Sequence, residues 1–271
     1  METSARSGSS ALPDAVARPA PGGVRAGSIV WTLCLLRAPP EPRILSFAVS
    51  SGRTVTPLVN PAALFTFRFP CRKRAPLWPP AAAPLDEACR LPSLAAVAEV
   101  PDVIEMFLAW NDDGLALRGV VRGVGASRWC QPTRAEDSDG LHVWFATRPT
   151  GESHRAGRYC RRLALLPTGG GRTADKPVAV ACAIPRTSEP LAELPADSVS
   201  LAAALAPDGW RIDAFIGAAA LPGWDPAEIP RLGFFAALVD RRLGRVPLFA
   251  PPEYPWESDP TTWAELELVA S

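Results

Sequence analysis

From about residue 60 onward, the chain consists of short runs in which apolar and polar residues alternate, separated by turn residues. In one run Leu141, Val143 and Phe145 occupy alternate positions, as expected for a strand with one buried face. In another, the apolar residues of 210–216 fall on one face, opposite Arg211 and Asp213. No segment sustains the 3.6-residue period of a helix. The pattern therefore predicts strands joined by loops.

Turn signals divide this part of the chain into about ten strands. Asn111–Gly114 and residues 207–209 each join two apolar runs in the manner of a hairpin. Residues 71–101 form a proline-rich loop, and 217–221 allow one helical turn. Together these elements predict an all-β, antiparallel β-sandwich of jelly-roll type with long loops. The predicted strands cover 64–69 (ending at Pro70), 103–110, 115–122, 141–146, 158–166, 177–184, 199–205, 210–216, 232–240 and 262–269.

Residues 1–60 differ from the rest because prolines recur without sustained periodicity, which predicts a disordered leader before a domain at 61–271. Met106, the only methionine after Met1, lies in a predicted core strand. Initiation at a non-ATG codon near Val55 or Val59 would make the leader a gene-calling artefact. The apolar run at 29–36 is far shorter than the ~20 residues of a membrane span. This run also does not form a convincing signal peptide, so a cytoplasmic location of the protein is slightly favoured.

Composition and charge narrow the functional classes. Lys+Arg and Asp+Glu are both 28, so the formal net charge is zero, which argues against a general nucleic-acid binder. The 31 prolines and 20 glycines exclude a mostly helical protein. Six cysteines show no C-x-x-C or zinc-finger spacing and are interpreted as free or partly paired thiols. No G-x-S-x-G elbow is present, and Gly169–Gly171 lacks the Lys-Ser/Thr of a phosphate loop.

Five segments carry a family resemblance, namely 110–115, 137–148, 210–216 leading to Ala220 and Leu221, 232–241 and 259–266. In this order they resemble the family 9 carbohydrate-binding module and its DOMON-like β-sandwich relatives, over roughly residues 60–271. The resemblance implies a non-catalytic module that binds a saccharide or glycoconjugate, with ligand-contacting aromatic side chains in variable loops. Two alternatives remain open. One is a structural or interaction domain that has lost the sugar site and binds a partner protein, and the other is a haem-binding DOMON-like domain.

Saccharide binding requires an exposed aromatic ring to stack on the sugar and polar groups to fix its hydroxyls. Two loop segments combine these residue types: Trp129 with Arg134, and Tyr254 with Trp256 and Glu257. We expect these residues to bind the ligand. The alternative is that the loop tryptophans plug the open ends of the sandwich. The tryptophans within strands, at 110, 144, 210 and 263, are expected to be core or sheet-face residues.

Two further kinds of site have weaker signals. Asp137 and Asp139 are spaced closely enough to ligate calcium, although the full EF-hand loop is missing and a polar turn at the start of a strand explains them more readily. Haem ligation would require Met106 with His142 or His154, the two histidines of the chain. Met106 is more readily explained as a core residue.

Overall fold

The computed structural model describes residues 65–83 and 85–270. Within them the chain forms one sheet of eleven strands, a single short α-helix (α1, Ala95–Ala98) and 3-10 turns at Glu87–Cys89, Pro132–Asp137, Ala218–Ala220 and Pro260–Thr262. The predicted leader at 1–60 lies outside the described residues. The strands are β1 Arg68–Lys73, β2 Ile104–Asn111, β3 Gly114–Arg122, β4 Gly140–Ala146, β5 Cys160–Gly170, β6 Lys176–Cys182, β7 Val199–Ala206, β8 Gly209–Gly217, β9 Arg231–Asp240, β10 Gly244–Pro247 and β11 Ala264–Val269.

The strands follow the order β6-β5-β4-β9-β11-β1-β2-β3-β8-β7, and β10 pairs with β9. Pairing is antiparallel except where β1 lies parallel to β11 and β2. The sheet curls so that its two halves face each other: a Cβ on Gly119 of β3 would lie 2.7 Å from Cδ2 of Leu141 on β4. The terminal strands β6 and β7 approach one another, so the sheet is nearly closed. The predicted all-β sandwich is confirmed.

Both predicted hairpins are confirmed, as β2–β3 and β7–β8. The prediction that the first strand ends at Pro70 is wrong, because β1 continues through it to Lys73. Strand β2 pairs with β1 only from Arg72, so Pro70 lies where β1 has one neighbouring strand and needs no second ladder partner. Strand β10 was missed because its four residues are too few to show alternation.

The interior is formed by the inward faces of the two halves, including Leu117 and Ile212 on one half and Val143 on the other, all with 0% exposure. The outward faces are covered as well. Over β3 and β8, the segment at 74–91 packs through Leu85, whose carbonyl accepts a hydrogen bond from Arg118. Over β4 and β5, the covering segments are 128–139 and 251–263. The second covered face holds the candidate site.

Candidate functional site

Two buried polar side chains lie next to each other on the outward face of β4 and β5. His142 alternates with the inward-facing Leu141 and Val143, and Arg162 lies on the adjacent strand. Nη2 of Arg162 is 3.4 Å from Nδ1 of His142, and Nε2 of His142 is 3.4 Å from the carbonyl oxygen of Ser138. Both side chains are almost completely buried. We call them the His–Arg pair.

Burial determines the charge state of each member. Burial and, to a lesser extent, the neighbouring Arg162 together lower the pKa of His142 to about 3, so the imidazole is neutral at physiological pH. Burial also lowers the pKa of Arg162, whereas Glu136 and Glu257 favour its charged form. A guanidinium remains protonated under these conditions. The pair therefore places one positive charge beneath the two covering segments.

Aromatic rings surround this charge. The guanidinium carbon of Arg162 lies 4.8 Å from the Trp144 ring centroid. Trp256 meets Trp144 edge-to-face at 5.4 Å and stacks on Phe235 at 5.1 Å with an interplanar angle of 18°. Among the described residues, Nε of Arg162 and Nε1 of both tryptophans have no hydrogen-bond partner although they are buried. Such groups are rare in folded proteins and call for an explanation.

The first covering segment contains Trp129, Arg134 and Asp139. The carboxylate of Asp139 accepts hydrogen bonds from the backbone N–H of Trp129 at 2.6 Å and of Arg241 at 2.9 Å. The half-buried Trp129 ring lies 5.1 Å from the guanidinium of Arg134 and 4.5 Å from that of Arg241. Trp129 is therefore a half-buried aromatic ring flanked by two cations.

The second covering segment contains Tyr254, Trp256 and Glu257. Glu257 forms an ion pair with Arg245 of β10 and lies close enough to Arg162 to influence its pKa. Tyr254 is half-buried and lines a cavity of about 160 Å³ near the start of β11. Trp256 is only 3% exposed, and Nε1 of Trp263 donates to its carbonyl at 2.7 Å.

These positions correct part of the expected site. Trp256 is a core residue whose ring face is occupied by Phe235, so it cannot present that face to a sugar. Tyr254 lines a separate cavity. Trp129, Arg134 and Glu257 remain accessible, and the segments that carry them meet around the His–Arg pair. Of the four tryptophans expected in the core, all are buried, with 1–6% exposure.

Sequence reasoning did not select the strand residues Arg162 and Arg245, and it considered His142 only as a haem ligand. One signal was available. A histidine and an arginine stand at alternating positions of strands whose other faces are apolar, which marks a second, covered face. The contact between His142 and Arg162 could not be predicted, because it depends on how β4 pairs with β5. Glu136, 4.0 Å from Nη1 of Arg162, completes the cluster.

The calcium and haem hypotheses find no support in this arrangement. Both Asp139 oxygens already accept backbone N–H groups, and Asp137 pairs with Arg134 at 3.1 Å. In the part of the chain that the structure describes, no three His, Cys, Asp or Glu side chains are grouped to hold a metal. Met106 and Leu141 both lie beside Gly119 inside the sandwich, whereas His142 lies on the opposite face of β4. Those two residues cannot ligate one haem.

The other features tested by the structure concern thiols and membranes. Cys71, Cys89, Cys130, Cys160 and Cys182 are free thiols, which is consistent with the interpretation of the cysteines as free or partly paired. Burial raises the pKa of each of them. Across 65–83 and 85–270, no helix is long and apolar enough to span a membrane.

The curled, nearly closed sheet is a β-sandwich whose fold resembles that of the family 9 carbohydrate-binding modules. It is similar to such a module from Caldicellulosiruptor kristjanssonii in complex with cellotriose, with a TM-score of 0.51, 13% identity, and coverage of 75% of this chain and 94% of that one. A structure of such a module from the same organism, in complex with glucose, gives a TM-score of 0.50 and 12% identity over 75% and 96%. No protein-family profile and no curated protein matches the sequence.

Proposed function

We propose that this protein is a non-catalytic saccharide-binding module whose ligand lies over Arg162, between Glu136 and Glu257. The observation that carries the proposal is the buried Arg162 beside a neutral His142, with an unpartnered Nε and carboxylates on the covering segments. A buried charge of this kind is costly unless it serves a polar partner.

The rim of the cluster offers the groups that sugar hydroxyls require. Glu136 and Glu257 have side chains that are 52% and 30% exposed, and Arg245 is 39% exposed. Carboxylates accept from hydroxyl O–H groups and guanidinium groups donate to hydroxyl oxygens, so alternating acids and arginines can hold neighbouring hydroxyls. Trp129 supplies an aromatic ring at the edge for the apolar face of a pyranose.

The fold supports a neutral, glucose-type saccharide. Its structural neighbours were solved with cellotriose and with glucose. The balanced charges of the rim, with two carboxylates facing Arg162 and Arg245, suit an uncharged ligand. As in those modules, we place no catalytic step at the site, and the role of the residues is to bind and orient the sugar.

One observation favours the alternative of an interaction domain that has lost its sugar site. Trp256 stacks on Phe235 and packs against Trp144, so aromatic side chains fill the centre of the covered face. In that case the polar rim would contact a partner protein instead of a sugar. The two functions are separated by whether the purified protein binds any glycan.

The decisive experiment is a glycan array on the full chain, with and without calcium, followed by calorimetry with cellotriose and glucose. Glu257→Gln keeps the shape of the side chain but removes its charge, and we expect about tenfold weaker binding. Glu253→Gln makes the same change at a more exposed glutamate of the same segment, so it is the control and should bind normally. Absence of binding to every glycan, or equal affinity of both variants, would overturn the proposed site.

A further inference from the structure

A second cavity lies away from the His–Arg pair, where β4 ends and β5, β9 and β11 begin. It has a volume of about 210 Å³. Its apolar wall is formed by Ala146, Pro149, Cys160 and Trp263. Neither Arg162 nor any of the rim residues proposed to bind saccharide lines it. The cavity is therefore a separate place at which a ligand could bind.

Two arginines line the polar side of this cavity. Arg155 is exposed and has no carboxylate within ion-pair distance among the described residues. Arg148 donates from Nη1 to Glu228 at 2.8 Å, which leaves its buried Nε without a partner within the same residues. The ring of Tyr159, which also lines the cavity, lies 5.8 Å from the guanidinium of Arg148 and 4.9 Å from that of Arg158.

The one acidic residue in the wall does not neutralise these groups. Glu265 is 3.2 Å from Arg68 and 3.8 Å from Arg231, and only 16% of its side chain is exposed. Its charge is already balanced by arginines outside the cavity. Arg155 therefore presents an uncompensated positive charge at the mouth of a partly apolar cavity, which favours a negatively charged ligand.

Size and lining together define the class of ligand. A dry protein cavity of about 150 Å³ is known to hold benzene, so a volume of about 210 Å³ admits a ring with one additional small group. A guanidinium binds a carboxylate through paired hydrogen bonds. We propose that this cavity binds a compact organic carboxylate, with its apolar body against Trp263 and Ala146 and its carboxylate at Arg155 and Arg148.

The test uses benzoate, its neutral isostere benzamide and inorganic phosphate in ligand-observed NMR titrations of the full chain. Benzoate should bind saturably, whereas benzamide should bind at least tenfold more weakly because it lacks the charge. Arg155→Gln should weaken benzoate binding about tenfold. Arg172→Gln removes another exposed arginine without a carboxylate partner among the described residues, outside the cavity, and should leave binding unchanged.

The results test the role of Arg155 and the role of the apolar wall separately. If Arg155→Gln and Arg172→Gln bind benzoate equally, or if nothing binds saturably, the cavity is not the site and the proposal is overturned. Phosphate binding as tightly as benzoate would overturn the role of the apolar wall. Because Arg155 is exposed, its variant should fold normally, and an unchanged melting temperature would verify this. Cellotriose binding is not expected to change in either variant.

Discussion

Nη2 of Arg162 and Nδ1 of His142 lie 3.4 Å apart on neighbouring strands, both buried under loops that carry acidic residues. A neutral imidazole can accept a hydrogen bond from the guanidinium, whereas an imidazolium there would repel it. The protonation state of His142 is thus coupled to the integrity of the covered face.

This coupling predicts a pH dependence of stability. The pKa of His142 is about 3 in the folded protein and 6.5 in the unfolded chain, so between these values the unfolded state binds the additional proton. Stability from this group is complete above pH 6.5 and is lost as the pH falls toward 3, by an amount of roughly 5 kcal/mol. Denaturant unfolding at intervals from pH 7 to pH 4 measures the loss.

Replacement of the imidazole isolates its contribution from that of other groups. His142→Gln should flatten the profile between pH 6.5 and pH 4, even if it lowers stability at pH 7. His154→Gln, which changes an exposed histidine paired with Asp259, should retain the steep profile. Parallel profiles for the wild type and His142→Gln would contradict the buried neutral state.

The two loop tryptophans should respond oppositely to truncation. Trp256→Ala removes a core ring and should lower the free energy of unfolding by about 3–5 kcal/mol. Trp129→Ala removes a half-buried ring with two cation–π contacts and should cost only about 1–2 kcal/mol, while weakening saccharide binding. Thermal denaturation and calorimetry with cellotriose give both readouts. Near-equal stability of the two variants would argue against Trp256 as a core residue.

Asp139 should be structural. In Asp139→Asn one of the two backbone N–H groups now bound by the carboxylate would face an amide NH₂, which should cost about 2 kcal/mol. Asp137→Asn affects an exposed ion pair and should change stability by less than about 1 kcal/mol. Chemical denaturation compares the two. A rise in melting temperature on adding millimolar calcium would instead favour a metal at this turn.

Thiol labelling tests the state of the cysteines. Burial raises the pKa of Cys71 and Cys160, so both should react slowly with a thiol reagent at pH 7.5 and rapidly after denaturation. Cys130, which is half-buried, should be labelled first in the native protein. A Cys34→Ser background confines the measurement to the described thiols. Rapid native labelling of Cys71 would show that the core opens there.

Much of the fold could be predicted because strand alternation is local. Nine of the ten predicted strands require no information beyond neighbouring residues, and the hairpin turns at Asn111–Gly114 and 207–209 connect segments adjacent in the chain. The first strand fails at Pro70 for a non-local reason, namely where β2 joins β1. The loop residues Trp129, Arg134 and Glu257 could also be selected from the sequence, because they combine residue types that bind sugars, and their role in binding stays a prediction.

By itself the sequence determined which faces of the strands are apolar, where the turns fall and that the fold is a β-sandwich, because these depend on residue order over a few positions. Only the tertiary structure decided that Trp256 is buried and that Arg162 meets His142. Those outcomes depend on pairing between strands 20 residues apart and on packing of a segment about a hundred residues further along. The position of a polar residue in a strand indicates which face of that strand it lies on, but the pairing of strands in the sheet determines which residue it contacts.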